Sequence, residues 1–206
     1  MNPTKFTAED FNVFKIDGLD ARMEALKERI QPKLQSLGDF FSNELSAKTG
    51  ETLFPHVAKH ARRTINPPND TWVAFAANSR GYKMVPHFQI GLWQSHMFVW
   101  FAVIYEAQEK SNFGKTLESN VNDIYNMIPE NYVWSVDHTK PEVIQHKQVA
   151  VQDLTNMFQR LQTVKKAEIL CGIQVSREDV LKLSDDAFLQ VIQDAFDKLI
   201  PLYKMR

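Results

Sequence analysis

Apolar residues repeat with a helical period towards both ends of this chain and with a period of two through much of its middle. From Leu19 the positions Met23, Leu26, Ile30, Leu34, Leu37, Phe41 and Leu45 recur at steps of three and four, one stripe of a long amphipathic helix. Pro32 lacks an amide proton and crowds the preceding turn, so the spacing predicts either a kink there or a second helix with Pro32 in its first turn. Thr49-Gly50 is the stop signal. Ahead of this helix, Thr7 with Glu9 and Asp10 starts one helical turn, and Phe11 to Ile16 reads as a short extended segment. The period changes to two at Thr71 to Ala76 and again at His87 to Trp93, where Phe88, Ile90 and Leu92 face one way and His87, Gln89 and Trp93 the other. Asn78 to Gly81 forms a hairpin-like loop in which Gly81 is expected at positive φ. A tight turn at Gln94-Ser95 leads to His96 to Tyr105, which is apolar on both faces and so fits a central strand. An antiparallel meander results.

Beyond it, Phe113, Leu117, Val121, Ile124 and Ile128 place one helix over Lys110 to Met127, with Pro129 closing it. Tyr132 to Val136 is a strand, Thr139 to Lys147 a polar connection, Asp153 to Val164 a helix and Lys166 to Val175 a strand. Ser176, followed by Glu178 and Asp179, caps the next helix, and Ser184 or Asp185 caps the last, with its stripe of Phe188, Leu189, Ile192, Phe196 and Leu199. Phe54 to Arg63 is ambiguous. A helix would put His56, Lys59, His60 and Arg63 on one face, whereas Pro55 and the following Asn66-Pro67-Pro68-Asn69-Asp70 turn favour extended or irregular structure, with either prolyl bond a candidate for cis. The pattern predicts one α+β domain over residues 1–206, a mainly antiparallel sheet covered by helices on one side.

Charge changes this picture locally. The 24 Lys and Arg nearly balance 25 Asp and Glu, which excludes a globally basic protein that coats long nucleic acid. Between Phe54 and Trp93, however, Lys59, Arg62, Arg63, Arg80 and Lys83 face a single acid, Asp70, and three of the six histidines lie there too. Guanidinium groups grip phosphate oxygens in pairs, and Trp72, Tyr82 or Trp93 offers a stacking face, so the stretch is a candidate site for a small phosphate-bearing, nucleotide-like ligand. Arg62, Arg63, Arg80 and Lys83 are the first candidates, with Lys59 beside them and His60, Asn69, Tyr82 and His87 at the margin. The competing reading pairs these cations with the chain's own acids, abundant from Glu178 to Asp197, and leaves a non-catalytic interaction module. A third reading makes His60 or His87 a proton-transfer group of an enzyme acting on a phosphorylated small molecule, with Asp137-His138 as a further carboxylate–imidazole candidate. The surrounding cations repel divalent ions, so no metal is expected, and nothing calls for a cofactor.

The remaining chemistry is bland. Cys171 is alone in AEILCGI, which rules out a disulfide within the chain and suggests a buried thiol. The longest apolar run, Met97 to Tyr105, is far short of a bilayer span, and the first residues carry acids where a signal peptide needs an apolar core, so a cytoplasmic protein is expected. No glycine-rich phosphate loop is present.

HVAKHARRTINPPNDTWVAF, the GYK of Gly81 to Lys83, PHFQIGLW, GLDARMEAL at Gly18 to Leu26 and the pair Asp137-His138 together resemble the YktB-like family of Gram-positive bacterial proteins, a family of unknown function. The resemblance covers essentially the whole chain. It implies a compact cytoplasmic α+β domain with a topology similar to the core shared by class II aminoacyl-tRNA synthetases and biotin ligases. It brings no activity and no catalytic residues.

Overall fold

The computed structural model describes residues 3–206. Seven strands form one sheet, β1 (Phe54–Val57), β2 (Asp70–Ala76), β3 (His87–Trp93), β4 (His96–Val103), β5 (Val133–Ser135), β6 (Ile144–Gln145) and β7 (Ile169–Ser176), in the order β1-β2-β3-β4-β7-β5-β6. Every pairing is antiparallel. The first four strands are the expected meander, and β4 is central and buried along its whole length. The polar connection after β5 contains β6 and a short 3₁₀ turn, His146–Gln148, which the sequence pattern does not signal.

The helices are α1 (Ala8–Asn12), α2 (Leu19–Ala25), α3 (Gln31–Thr49), α4 (Lys110–Ser119), α5 (Val121–Met127), α6 (Val151–Thr163), α7 (Arg177–Lys182) and α8 (Asp185–Lys204). Between α2 and α3 the chain stays helical through a π turn, Leu26–Ile30, and Pro32 sits in the first turn of α3. The wider turn absorbs the missing amide, so both expected alternatives merge into one continuous rod. Gly50, at φ 85, closes α3 as its stop signal requires.

Several local expectations are corrected. Phe11 to Ile16 is not extended: α1 runs into a 3₁₀ turn, Val13–Lys15. The Asp10 carboxylate holds this start by accepting from the Thr7 amide at 2.7 Å and from the Lys33 ammonium at 2.5 Å. The single helix over Lys110 to Met127 is two, broken at Asn120, whose side-chain amide donates to the Thr116 carbonyl at 2.7 Å and so competes with the helical ladder. Gly81 has no positive φ, and no cis peptide occurs among the described residues.

The two faces of the sheet are covered differently. Val73, Phe75, Phe88, Ile90, Val99 and Phe101 point to the helices and join one large core. Phe196 of α8 is its hub, with ring centroids 5.5 Å from Phe41, 5.8 Å from Phe75 and 5.5 Å from Phe88. Burying each such ring contributes roughly 1.5–3 kcal/mol. On the opposite face Phe98, Trp100, Ala102, Ile104, Val133 and Leu170 make a smaller cluster, with Trp72, Trp93 and Val143 packed on it, to which no helix contributes among the described residues. Strands carry this second face inward and loops cover it.

Close approach at the centre makes one glycine indispensable. Gly172 of β7 lies opposite Trp100 of β4, and a Cβ there would stand 1.9 Å from the Val99 carbonyl oxygen and 2.9 Å from the Trp100 ring. Gly172→Ala is expected to destabilise the fold by about 3 kcal/mol or more, seen as a lower urea midpoint. Gly81→Ala, with nothing within 4 Å of the added methyl, should stay within about 0.5 kcal/mol of the parent. Equal effects of the two would refute the packing argument.

Candidate functional site

The loop-covered face of the sheet holds a cleft of about 340 Å³. Strand alternation puts Trp72 of β2 and Gln89 of β3 on this face, and the register Trp72↔Gly91 and Ala74↔Gln89 makes them diagonal neighbours on its floor. One wall is the chain that leaves β1. Its last rung to the sheet is Ala58 N–H to Trp72 O at 2.8 Å, after which His60 takes φ 50 and the chain turns, with Arg63 N–H donating to His60 O at 3.0 Å. The next segment is pinned from below by the buried Arg22, whose Nη1 donates to Pro68 O at 3.0 Å and whose Nε donates to Ile16 O at 2.9 Å. Tyr82 and Lys83 from the β2–β3 connection form a second wall, and His138 after β5 a third.

Lys59, Arg62 and Arg63, separated from Lys83 by a strand and two loops, line this one cleft with it. None of those first three has a carboxylate oxygen within 4.0 Å among the described residues. The acids near the C-terminus are engaged elsewhere: Asp179 with Lys182, Asp197 with Lys48 and Asp185 with the Lys5 amide. Lys83 differs, since it meets Glu106 at 3.3 Å. Arg80 is exposed and does not line the cleft. Asn69 and Trp93 border a separate groove instead.

Aromatic groups build the floor. Trp72 meets His60 edge-on at 5.5 Å and Tyr82 at 6.4 Å, and Tyr82 packs on His87 at 5.0 Å. Burial pushes the Tyr82 phenol up to about 12, with the neighbouring Trp72 indole opposing, so it stays neutral at ordinary pH. The Trp72 Nε1–H is sealed from solvent with no hydrogen-bond partner of acceptable geometry.

Two histidines line the cleft, His60 and His138, and a third, His87, is buried beneath its floor; they are not equivalent. His60 Nε2 lies 3.1 Å from Thr71 Oγ1, and burial, reinforced by Arg63, lowers its pKa to about 4. His87 is 0% exposed: its Nδ1–H donates to Val85 O at 2.8 Å and its Nε2 accepts from Gln89 Nε2 at 2.9 Å, with burial lowering its pKa to about 4. Burial disfavours the charged form of both imidazoles, and their contacts with Thr71, Val85 and Gln89 brace the floor. His138 is the opposite case. Burial lowers its affinity for a proton, but the hydrogen bond and charge of Glu168 outweigh it and raise the pKa above the ordinary value. Glu168 is the residue that sequence reading missed, and its signal was an acid opening an otherwise apolar strand. Asp137, the nearer carboxylate in sequence, turns away to cap Thr139 and pair with Lys140. His56 Nε2–H donates to Asn78 O at 2.9 Å and does not line the cleft. No cluster of three or more His, Cys, Asp or Glu that could hold a metal ion occurs among the described residues.

Comparison with known proteins agrees with the family resemblance. The family model described as a domain of unknown function, DUF1054, matches residues 6–203. A UPF0637 protein of Bacillus velezensis is 56% identical over 205 residues, covering 100% of this chain and 98% of the relative. Another UPF0637 protein, from Bacillus licheniformis, is 55% identical over 205 residues, with 100% and 97% covered. The UPF0637 protein of Bacillus cytotoxicus is 50% identical over 200 residues, with 97% and 96% covered. Among solved structures, a conserved hypothetical protein from Pyrococcus furiosus aligns over 88% of this chain and 96% of its own with a TM-score of 0.43 and 12% identity, too distant to carry an argument. No helix among the described residues is long and apolar enough to cross a membrane.

Asp70, the one acid of the basic stretch, opens β2 beside the cleft and is buried. Burial raises its pKa from 3.8 to about 6, against the opposing charges of His138 and Arg63. A folded-state pKa above the unfolded one favours the protonated carboxyl, so its contribution to stability is full below about pH 4 and is lost as pH rises through about 6. Above that range the ionised group costs on the order of 2–3 kcal/mol. Asp70→Asn is expected to raise stability by about that amount near pH 7.5 and to change little near pH 4, as measured by urea denaturation at both. A gain of the same size at both pH values would contradict the assignment.

Proposed function

We propose that the chain, which belongs to the DUF1054 family, binds a small phosphate-bearing ligand of nucleotide-like shape in the cleft on the loop-covered face of its sheet. The observation that carries this reading is the convergence of Lys59, Arg62 and Arg63 on one hollow with no carboxylate oxygen within 4.0 Å of any of them among the described residues. Cations that have no partner at 4 Å keep their potential for an incoming anion, and low-dielectric walls concentrate it. Two arginines present forked donors that match phosphate oxygens in pairs, while Lys59 adds a point charge. Trp72 and Tyr82 supply an apolar side against which a base or similar ring can lie. The small volume and near-zero net charge favour a compact ligand over a long polyanion.

A second reading has one observation in its favour. Ile65 is 80% exposed within the same loop as Arg62 and Arg63, an apolar group that a protein partner would cover. The two readings separate in a thermal-shift titration with ADP and inorganic pyrophosphate. At a ligand concentration about 100 times Kd, binding adds about 2.7 kcal/mol and raises Tm by roughly 5–10 °C. Arg62→Ala and Arg63→Ala should each weaken binding by roughly 10–100-fold, since a charge-assisted contact is worth about 1.5–3 kcal/mol, and the affinity of the parent should fall as salt rises. Arg80→Ala, outside the cleft, should leave the titration unchanged. Absence of any shift with both compounds would sink the proposal and favour the interaction module.

A further inference from the structure

We propose that His138, oriented by Glu168, transfers a proton to the ligand of this cleft, and that the ligand class is a phosphate monoester which the protein hydrolyses. The inference rests on the phosphate-binding reading of the same cleft and adds the chemistry performed there.

Sheet register brings the pair together. Strands β5 and β7 run antiparallel with Ser135 opposite Leu170, so the chain just beyond Ser135 and the chain just before Leu170 lie at one end of the sheet. Glu168, only 5% exposed, is used there from several sides. Its Oε2 accepts the His138 backbone N–H at 2.9 Å and its Oε1 the Tyr105 N–H at 3.2 Å. The same carboxylate stands 2.7 and 2.9 Å from His138 Nδ1, which therefore carries a proton. The opposite nitrogen, Nε2, has no protein partner among the described residues, yet it is not sealed from solvent as Trp72 Nε1 and His96 Nε2 are, and the ring lines the cleft that holds Lys59, Arg62 and Arg63. A carboxylate fixing one nitrogen of a ring that lines a cation-lined hollow, with the other nitrogen left uncommitted, is the arrangement of a proton-transfer histidine. Burial opposes the ionisation of Glu168, but its hydrogen bonds from His138 hold it below the ordinary value, and the pair keeps His138 protonated to higher pH than a free imidazole. The other charges near the ring are Asp70 and the Asp137 carboxylate paired with Lys140, both of which favour its proton, and the cleft cations, which oppose it.

The step balances without an added reagent. Lys59, Arg62 and Arg63 hold the non-bridging oxygens, and the His138 imidazolium gives its Nε2 proton to the bridging ester oxygen as the P–O bond breaks and the electron pair leaves with that oxygen. A water oxygen bonds to phosphorus, and the proton it loses returns to Nε2. Ester and water become alcohol and inorganic phosphate, and the imidazolium is regenerated.

Leaving-group dependence tests this directly. Phenyl phosphate expels a basic phenolate that needs a proton, whereas p-nitrophenyl phosphate expels an anion that does not. The parent protein is expected to release phosphate from both. His138→Asn should lower kcat on phenyl phosphate by about 100-fold and on p-nitrophenyl phosphate by less than about tenfold, with pyrophosphate affinity kept within about threefold. Glu168→Gln should move the alkaline fall of kcat to lower pH. Should that buried variant not fold, the leaving-group contrast in His138→Asn decides alone. A parent protein that binds pyrophosphate but releases phosphate from neither ester overturns the proton-transfer proposal and leaves the binding reading intact. Equal losses on the two esters overturn it as well. A protein that binds no pyrophosphate overturns the binding reading, and this proposal falls with it.

Discussion

The structure depends on a sheet that must be dry on both faces while helices cover only one. Its central strand, β4, is buried along its whole length, with Val99 and Phe101 packed against the helical layer and Phe98 and Trp100 on the other side. Loops close that second side. A loop cannot satisfy its backbone as a helix does, so covering a sheet with loops brings in polar side chains that complete the hydrogen bonding. Lys110, at the start of α4, meets the same need where the α6–β7 loop enters the sheet, donating to the carbonyls of Val164, Lys165 and Ala167 at 3.0, 2.7 and 2.9 Å. Polar groups held near a dry floor of tryptophan and tyrosine are what turn a cover into a cleft.

Arg22 shows how far this constraint reaches. Its guanidinium is buried, burial lowers its pKa, and its donors end on Ile16 O and Pro68 O, with Asn69 Oδ1 at 3.3 Å. Removing a cation from water is costly unless its donors are matched, and here three separate acceptors match them. The group thereby ties the start of α2 to the loop that follows the basic wall. Loop and helix are more than forty residues apart in sequence, so the shape of the cleft is set partly by the first helical layer.

What was legible in the chain follows from which forces are local. The meander, the long first helix with its glycine stop and the Ser176 and Ser184 caps could be read because period and capping act over a few residues. The gathering of cations was equally visible, since charge density is a property of the sequence itself. The break at Asn120 was hidden because apolar spacing continues across it while one side chain competes for a carbonyl. Helix at Phe11 was hidden because Asp10 acts with Lys33, which comes from α3. At the site, adjacency in sequence pointed to Asp137 as the partner of His138, but the register of β5 and β7 hands that role to Glu168. Nor did spacing distinguish Arg80 from Arg62: only the path of the loops puts one outside the cleft and the other in its wall.

Three imidazoles near one set of cations then behave differently for one reason. Desolvation is the larger cost of charging an imidazole there, and beside His60 the Arg63 guanidinium adds repulsion, so an unassisted histidine remains neutral. His60 and His87 follow this rule: His60 Nε2 meets the Thr71 hydroxyl, and His87 spends both ring nitrogens on the neutral partners Val85 O and Gln89. His138 escapes it because a buried carboxylate lies within 3 Å, where low dielectric strengthens attraction as much as it does repulsion. Glu168 is in turn held below the ordinary carboxylate value, against burial, first by the His138 side chain and then by the backbone N–H groups of His138 and Tyr105, donors that the end of the sheet supplies. The proton that sets His138 apart is therefore placed by strand pairing, two steps removed from the residue that carries it.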